Sequence, residues 1–531
     1  MKLLVSIALL ILILSFSASG LAQVTYQRIL HAEQEPENWL TYSGTYDGHR
    51  YSRLDSINRE NVQNLQLKWV FQMRTLEKVE TTPLVVDGIM YLTEPPSNAY
   101  ALDPGTGRTY WSYVRNLPEV IKTCCGRVNR GLAILGERLY LGTVDAHLVA
   151  LDSKTGSPIW DVAVADPKAG YSITVAPLAV KDKIIVGISG GEFGIRGFLD
   201  AYDAETGKRA WRFYTVPGPG EPGHETWEGD SWKTGGAPTW LTGSFDPELN
   251  LIYWGTGNPA PDFNGKTRAG DNLYSDSVIV LDADTGKLKW YFQFTPHDVL
   301  DWDAAQIPVL LDAPFQGRPR KLLLWPNRNG FYYVFDRETG ELLLAQQFGK
   351  QTWTDGLDSQ GRPNVLPDVL PSEEGTLVFP GIQGAINWHS TSYNPLTGLL
   401  YLPVREVPTL NFTGDVSFSP GDMFLGSRWQ AMPEEPSSAA IRAMVPQTGE
   451  VKWEYPLYRD TWGGLLSTAG NLVFSGTLEG QLFALDSATG EELWHINTGG
   501  RVNAAPITYL HEGKQLVTMA AGNALFTFGL E

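Results

Sequence analysis

Residues 101–111 read ALDPGTGRTYW, and this stretch carries the pattern that decides the fold. An apolar pair precedes Asp103, a Thr-Gly turn follows, and Trp111 stands four residues after Gly107. Alternating apolar residues before the aspartate predict the end of a strand. Asp-x-x-Thr-Gly predicts a tight turn in which glycine supplies a positive φ. We therefore expect the strand after the turn to carry Trp111 into the core.

The same pattern recurs along the chain. Six further copies occupy residues 150–160, 201–211, 280–290, 334–344, 443–453 and 484–494. A weaker relative at 392–402 fits either a further copy or a simple hairpin turn. With it included, the turn glycines are 41 to 58 residues apart, except for a gap of 79 residues between Gly207 and Gly286. This period is typical of a four-stranded propeller blade, so we expect an all-β repeat protein whose repeated tryptophans are packing residues.

The first 22 residues are typical of a secretory signal peptide. Lys2 is followed by an apolar run from Leu3 to Phe16 and by a small-residue run that suits cleavage near Ala22. A retained anchor helix is the alternative, but the apolar run is short for a membrane span of about 20 residues. We expect an exported, periplasmic protein that does not span the membrane. Its net charge of −18 argues against nucleic acid as a partner.

The chain has two cysteines, and they are adjacent as Cys124 and Cys125. Disulfides prefer Cα atoms roughly 4.4–6.8 Å apart, whereas neighbours across a trans peptide are fixed near 3.8 Å. A disulfide here would be strained and would staple no loop. Such strain tends to occur at functional sites. The residues alone leave open either this disulfide or two reduced, buried thiols.

The segment CCGRVNRG (124–131) resembles the adjacent-cysteine motif of the quinoprotein alcohol dehydrogenases, which use pyrroloquinoline quinone (PQQ). The resemblance extends along the mature chain in family order. It includes VETTPLVVDGIMY, SITVAPLAV, GISGGEFGIRG, TWEGDSWKTGGAPTW, GTGNPAP, WPNRNGFYYVFDRETG, INWHSTSYNP and TWGGLLSTAG. It implies that residues 23–531 form a single eight-bladed β-propeller with tryptophan-docking repeats. It also implies that Cys124 and Cys125 form a disulfide that packs on one face of PQQ.

The resemblance implies a set of cofactor-binding residues. Trp240 would stack on the opposite face of PQQ, and Arg130, Thr174 and Ser189 would hold its carboxylates. Arginine suits this role because its fork binds both carboxylate oxygens. The remaining implied contacts are Glu80, Gly190, Gly191, Asn387 and Trp462. Trp240 could instead be a core tryptophan, and Glu80, Asn387 and Trp462 could be structural.

The resemblance also implies one metal ion and a general base. Glu192 and Asn258 match the family's ligands, and both offer the hard oxygen that calcium-type sites need. Asp301 matches the base that takes the proton of the substrate hydroxyl and also lies at the ion. Arg328 matches the cation that stabilises the reduced quinone oxygens. His297 is the alternative base.

The identity of the ion depends on Asp303. Lanthanide-dependent members of the family carry an aspartate two positions after the catalytic one, whereas calcium-dependent alcohol-oxidising members usually have a small uncharged residue. A trivalent ion favours an additional carboxylate, so we expect a lanthanide rather than Ca²⁺. Sugar-oxidising relatives with divalent ions also show Asp-x-Asp, which keeps Ca²⁺ as the alternative.

We expect the protein to oxidise a small alcohol to an aldehyde or ketone. The chain contains no Cys-x-x-Cys-His, so the electron acceptor should be external, such as a periplasmic cytochrome c. Asp262 and Phe263 stand where methanol-oxidising members have tryptophan, and the C-terminus is short, which predicts a more open pocket. A dehydrogenase of sugars, polyols or polymeric alcohols is the alternative, and a non-catalytic propeller scaffold is a remote one. The sequence is also compatible with a homodimer.

Overall fold

The computed structural model describes residues 23–531, so the predicted signal peptide lies outside the described residues. This part of the chain is built mostly of strands, as predicted. Helix α1 spans Tyr26–Leu30, and short 3-10 helices span Ala32–Gln34, Val62–Asn64, Pro167–Ala169, Gly191–Phe193, His224–Thr226, Ser231–Thr234, Gly265–Thr267 and Pro367–Val369. Among residues 23–531, no helix has the length and apolar character needed to cross a membrane.

The strands follow one another in short hairpins. In chain order they are β1 (Tyr51–Ser52), β2 (Gln66–Gln72), β3 (Leu84–Val86), β4 (Ile89–Glu94), β5 (Asn98–Leu102), β6 (Thr109–Tyr113), β7 (Ala133–Leu135), β8 (Arg138–Gly142), β9 (His147–Asp152), β10 (Pro158–Ala163), β11 (Leu178–Val180), β12 (Lys183–Gly187), β13 (Phe198–Asp203), β14 (Arg209–Tyr214), β15 (Ser244–Asp246), β16 (Leu251–Gly255), β17 (Ser277–Asp282), β18 (Leu288–Gln293), β19 (Val309–Phe315), β20 (Arg318–Pro326), β21 (Phe331–Asp336), β22 (Leu342–Gln347), β23 (Thr354–Leu357), β24 (Pro363–Val365), β25 (Thr376–Val378), β26 (Ser392–Asn394), β27 (Leu399–Glu406), β28 (Thr409–Asn411), β29 (Trp429–Ala431), β30 (Ser438–Met444), β31 (Val451–Leu457), β32 (Leu466–Thr468), β33 (Leu472–Gly476), β34 (Gln481–Asp486), β35 (Glu492–Asn497), β36 (Ile507–His511), β37 (Lys514–Ala521) and β38 (Ala524–Gly529).

Within residues 23–531 these strands form ten sheets, eight of which have four or five strands. Six of the eight are meanders of four strands close in sequence: β3–β6, β7–β10, β11–β14, β15–β18, β19–β22 and β26-β27-β30-β31. A seventh consists of β32–β35, with β1 added in parallel. The eighth joins the two ends of the chain, because β2 pairs antiparallel with β38 in the order β2-β38-β37-β36. The two small sheets, β23-β24 and β25-β28-β29, lie between β22 and β30 in sequence.

The Thr-Gly turns have the predicted geometry. In the first copy, Asp103 Oδ1 accepts hydrogen bonds from the backbone N–H groups of Gly105 and Thr106, at 2.9 and 3.0 Å. Gly107 follows with φ +71°. The aspartate therefore satisfies backbone donors that the tight turn would otherwise leave unpaired, and the glycine supplies the left-handed conformation.

Most of the repeated tryptophans pack on the turn of the next repeat. The Trp111 ring lies over Gly156, and its Nε1 donates to the carbonyl of Ser153 at 3.0 Å. A Cβ placed on Gly156 would lie 2.5 Å from the ring, so only glycine allows this approach. The same contact joins Trp69 with Gly107, Trp160 with Gly207, Trp211 with Gly286, Trp290 with Gly340, and Trp453 with Gly490. The repeated tryptophans are thus packing residues between sheets, as expected.

Three copies depart from this arrangement. Trp494 of the last copy packs edge-on against Phe528, with ring centroids 5.3 Å apart, and not on a turn glycine. Leu344 occupies the tryptophan position of the fifth copy, and Gln346 lies against Gly449 of the following turn instead. The weaker copy at 392–402 forms the hairpin between β26 and β27, and nothing lies within 4 Å of a Cβ on its Gly398. The second of its two interpretations, a simple hairpin turn, is the correct one.

Two long insertions between strands contact each other. One insertion separates β14 from β15, and another separates β16 from β17. They are joined where Ala237 N–H donates to the carbonyl of Asn258 at 2.8 Å, and where Gly236 forms a bridge with Pro259. This contact places Trp240 and Asn258, which come from different insertions, in one region.

Substitution of Gly156 by alanine tests the packing of tryptophan on glycine. The new Cβ must displace the Trp111 ring, and the alanine backbone must adopt a positive φ. We therefore expect a loss of about 2–4 kcal/mol in unfolding free energy. Gly88→Ala is the matched control, because Gly88 has φ +78° but open space around its Cβ. It should cost only about 1 kcal/mol. Chemical denaturation measures both values, and equal losses would contradict the steric role of Trp111.

Candidate active site

A cavity of about 340 Å³ brings together most of the predicted site residues. Those that line it are Glu80, Cys124, Cys125, Arg130, Thr174, Ser189, Gly190, Glu192, Trp240, Asp301, Asp303, Arg328, Asn387 and Trp462. Gly191 and Asn258 do not line it and lie behind the wall. Sequence reasoning did not single out five further lining residues, namely Lys78, Val128, Gln383, Trp388 and Asn503.

One wall carries the cysteine pair. Cys124 and Cys125 form a disulfide with their Cα atoms 3.8 Å apart, which confirms that prediction. Cys125 has φ +66°, a conformation in which a non-glycine residue is strained. The two sulfurs and one carboxylate oxygen of Glu192 lie within 4.8 Å of one another. The disulfide therefore presents a sulfur surface beside an anionic group.

The adjacent wall holds a buried cation between two indole rings. The Arg130 guanidinium carbon lies 4.9 Å from the ring centroid of Trp240 and 4.9 Å from that of Trp388. Trp388 in turn stacks on Trp462, with centroids 6.2 Å apart and an angle of 19° between the rings. Flat aromatic surfaces with a cation between them are suited to a planar anionic ligand.

Arg130 is also the centre of a polar row. Its Nη2 pairs with Glu80 Oε2 at 2.7 Å, and its Nη1 donates to Thr174 Oγ1 at 2.9 Å. The Thr174 hydroxyl is 2.8 Å from Ser189 Oγ. Burial raises the pKa of Glu80, and the charge of Arg130 opposes this shift. Arg130 and the two hydroxyls can therefore present N–H and O–H donors to a carboxylate.

A tight turn directs the aspartates of residues 298–303. The Asp298 carboxylate accepts the backbone N–H groups of Leu300 at 2.9 Å and Trp302 at 2.7 Å, while burial raises its pKa to about 6. Trp302 is buried, and its Nε1 donates to the carbonyl of Gly381 at 3.1 Å. Asp298 thus holds the turn, and Asp301 and Asp303 face the cavity.

His297 lies outside the cavity lining. Its Nδ1 is 2.8 Å from the carbonyl of Gly270, and its ring packs against Gly265. Burial lowers its pKa. The geometry therefore favours Asp301 over His297 as the group that can take a proton in the cavity.

Arg328 and Asn258 hold Asp303. Arg328 Nη1 donates to Asp303 Oδ2, and Arg328 Nη2 lies 3.7 Å from Asp301 Oδ2. The Asn258 backbone N–H donates to Asp303 Oδ1 at 2.8 Å. One guanidinium is therefore shared by the two cavity aspartates, and Asn258 is tied to the site through its backbone.

The carboxylates of the site are electrostatically crowded. Burial, reinforced by the charge of Asp303, raises the pKa of Glu192 to about 7. Burial also raises the pKa of Asp301 well above its ordinary value, against the attraction of Arg328. Carboxylate and amide oxygens arranged in this way suit a hard cation, which would relieve the repulsion among them.

Asp262 and Phe263 do not line the cavity. Both are 2 % exposed, and Phe263 N–H donates to the carbonyl of Leu425 at 2.8 Å. The sequence predicted that these two residues would make the pocket more open. Because neither residue lines the cavity, they cannot open it by direct contact. The position of Asp262, a buried carboxylate near Glu192, was not predicted, because the sequence gives no sign of its burial.

The profile of the PQQ family, described as a glucose/ethanol/alcohol dehydrogenase β-propeller domain, matches residues 39–347 and 429–517. A second profile, for the outer membrane protein assembly factor BamB, matches residues 274–463, about a third of the chain. The first match covers most of the described strands and nearly all of the cavity residues.

Individual relatives agree with the first profile. The chain is 42 % identical to the quinohemoprotein alcohol dehydrogenase ADH IIB of Pseudomonas putida, over 97 % of this chain and 78 % of the relative. It is 39 % identical to a lanthanide-dependent methanol dehydrogenase of Methylorubrum extorquens, over 93 % of this chain and 88 % of the relative. A europium-containing methanol dehydrogenase structure superposes with a TM-score of 0.89 at 32 % identity, covering 95 % of this chain and all of that one.

The raised pKa of Glu192 predicts a pH dependence of the ion-free protein. Between pH 4.5 and about 7 the folded chain holds a proton that the unfolded chain releases. The unfolding free energy that protonated Glu192 contributes is fully present below pH 4.5 and is lost as the pH rises through about 7. Relative to Glu192→Gln, the wild type should lose about 1–3 kcal/mol of unfolding free energy across this window. Denaturation of chelator-treated protein measures this difference, and parallel pH profiles would rule the shift out.

Proposed function

Because the chain belongs to the family of PQQ-dependent alcohol dehydrogenases, and is therefore an oxidoreductase, we propose that its cavity oxidises an alcohol to an aldehyde or ketone. The observation that carries this proposal is the convergence of a disulfide surface, buried arginines and carboxylates around one cavity. We further infer that the eight larger sheets are the blades of a closed propeller, with the pairing of β2 and β38 as the support.

The cavity residues fit PQQ, which is flat and carries three carboxylates. The disulfide of Cys124 and Cys125 and the ring of Trp240 offer surfaces for its two faces. Arg130, Thr174 and Ser189 offer donors for its carboxylates. Two buried guanidinium nitrogens, Nε of Arg130 and Nε of Arg328, have no hydrogen-bond partner among residues 23–531, so they are available to donate to an anionic ligand. Further contacts in the proposal are Glu80, Gly190, Gly191, Asn387 and Trp462.

In the proposed reaction Asp301 takes the proton of the substrate hydroxyl on a carboxylate oxygen. Its side chain is 18 % exposed, whereas Asp298 has both oxygens occupied by backbone donors. Arg328 holds the Asp301 carboxylate in place and provides positive charge on the cavity wall. PQQ, held by these residues, would supply the hydride acceptor, and an ion held by the site's carboxylates would supply Lewis-acid polarisation.

The proposed ion ligands are Glu192, Asn258, Asp301 and Asp303. Both oxygens of Asp303 already accept hydrogen bonds, from Arg328 and from Asn258 N–H. A carboxylate has about four lone-pair sites, so these bonds leave room for an ion. We propose a lanthanide, since the additional carboxylate of Asp303 offsets a trivalent charge better than a divalent one. Ca²⁺ is the competing ion.

The proposal also includes a substrate class, an electron acceptor and a cellular location. We propose a small alcohol as substrate, an external cytochrome c as electron acceptor and a periplasmic location. A sugar or polyol is the alternative substrate class, because the polar lining residues Lys78, Gln383 and Asn503 could bind further hydroxyls. A scaffold without catalysis would not require buried carboxylates and arginines to converge on a cavity.

Asp301→Asn tests the general base. The amide cannot accept the proton, and loss of a general base typically costs about 10²–10⁴-fold in rate. We expect turnover with a dye acceptor to fall by this factor while PQQ stays bound, as measured by its absorbance. Asp422→Asn, which removes an exposed carboxylate paired with Lys122, is the control and should keep full activity. Activity of Asp301→Asn above about a tenth of wild type would exclude the base role.

Asp303→Ala tests the identity of the ion. Wild-type protein reconstituted with PQQ should be activated by La³⁺ more than by Ca²⁺, and the variant should lose La³⁺ activation. Alcohols, polyols and sugars are screened in the same assay. Equal or better activity of the wild type with Ca²⁺ would contradict a lanthanide site and leave Asp303 with a role in holding Arg328.

A further inference from the structure

Asp262 is a buried carboxylate without adequate partners. It is 2 % exposed, and its Oδ1 has no hydrogen-bond partner among residues 23–531. Burying an acceptor in this state costs free energy that folding must supply from elsewhere. Groups of this kind in native proteins call for an explanation, and a bound ion is one such explanation.

The position of Asp262 connects it with two proposed ion ligands. Asp262 lies four residues after Asn258 in the same insertion, and Glu192 is the charged group that acts most strongly on its carboxylate. The backbone explains this proximity. Phe424 N–H donates to the carbonyl of Glu192 at 2.6 Å, and Phe263 N–H donates to the carbonyl of the next residue, Leu425, at 2.8 Å. One dipeptide therefore holds the segments of Glu192 and Asp262 together.

The buried arginine whose charge acts on Asp262 does not hydrogen-bond to its free oxygen. Arg268 is fully buried, but its Nη1 donates to Asn272 Oδ1 at 2.7 Å, and its Nη2 donates to the carbonyls of Pro261 and Asp298. Its charge lowers the pKa of Asp262 only as a minor contribution. Arg268 thus fixes the backbone around Asp262 and leaves the carboxylate available.

Once they ionise around a bound cation, the acidic side chains of the site carry an excess of negative charge. Four acidic side chains interact here, namely Glu192, Asp262, Asp301 and Asp303. Arg328 is the cation that pairs with two of them. A trivalent ion offsets more of this excess than a divalent ion does, because ligand charge tunes affinity at such sites.

We propose that Asp262 is a selectivity residue of the ion site, a fourth carboxylate that favours a trivalent over a divalent ion. It lies on the Asn258 side of the site, away from the cavity, and therefore acts on the ion without blocking the substrate. This inference rests on the proposed function, since it requires the ion held by Glu192 and Asn258. It differs from the role of Asp303, which faces the cavity.

The test measures metal retention rather than turnover. Wild type and Asp262→Asn are reconstituted with PQQ and dialysed against buffers with fixed free La³⁺ or Ca²⁺, and the metal per chain is measured by elemental analysis. We expect the variant to lose about 10–100-fold in La³⁺ affinity, and clearly less in Ca²⁺ affinity. Asp276→Asn is the matched control, because Asp276 is also fully buried and both its oxygens have no hydrogen-bond partner among residues 23–531. It should change the La³⁺ to Ca²⁺ ratio much less.

Thermal unfolding separates a role at the ion from a structural role. Removal of a poorly paired buried carboxyl should leave the ion-free Asp262→Asn protein as stable as wild type or more stable. The upward shift of Tm caused by La³⁺ should shrink in the variant. A variant that is less stable without the ion, or that keeps the wild-type La³⁺ to Ca²⁺ ratio, would overturn the proposal. An equal change of the ratio in Asp276→Asn would also overturn it. Failure of the wild type to retain either ion would instead refute the proposed function.

Discussion

The contact between an indole ring and the glycine of the next turn is the constraint on which the rest of the structure depends. Each Thr-Gly turn bends the chain with a left-handed glycine, and in six of these turns the same glycine leaves space for a tryptophan from the preceding sheet. The indole N–H then donates to a carbonyl of that turn, as in Trp111 and Ser153. Packing, turn geometry and hydrogen bonding thus fix the relation of each sheet to the next.

Regular sheets leave the connecting segments free to carry the chemistry. The cavity residues come from the segments between strands: the cysteine loop precedes β7, the turn with Asp301 precedes β19, and Arg328 follows β20. Burial then sets the electrostatics of the site. The carboxylates lose solvation, which raises their affinity for protons, and Arg328 offsets only part of their repulsion. A hard cation between them would relieve this repulsion, so the repulsion among the carboxylates raises the affinity of the site for the ion.

The sequence predicted the repeats and most of the cavity, because both depend on local patterns. The strand ends, the turns and the packing role of Trp111 follow from one eleven-residue pattern, whereas the disulfide of Cys124 and Cys125 was implied by the resemblance of the surrounding motif to the quinoprotein family. Features that depend on long-range contacts were not predictable. Gln346 takes the place of a tryptophan on Gly449, and the burial of Asp262 results from insertions distant in sequence.

The central claim is that one cavity holds PQQ and a metal between the disulfide and the carboxylates. The location of the ion tests this claim most directly. Crystals of the protein reconstituted with PQQ and La³⁺ should show one strong anomalous peak per chain. We expect this peak among the oxygens of Glu192, Asn258, Asp301 and Asp303, with planar density between Trp240 and the disulfide. An anomalous peak elsewhere, or planar density outside this cavity, would contradict the proposed site.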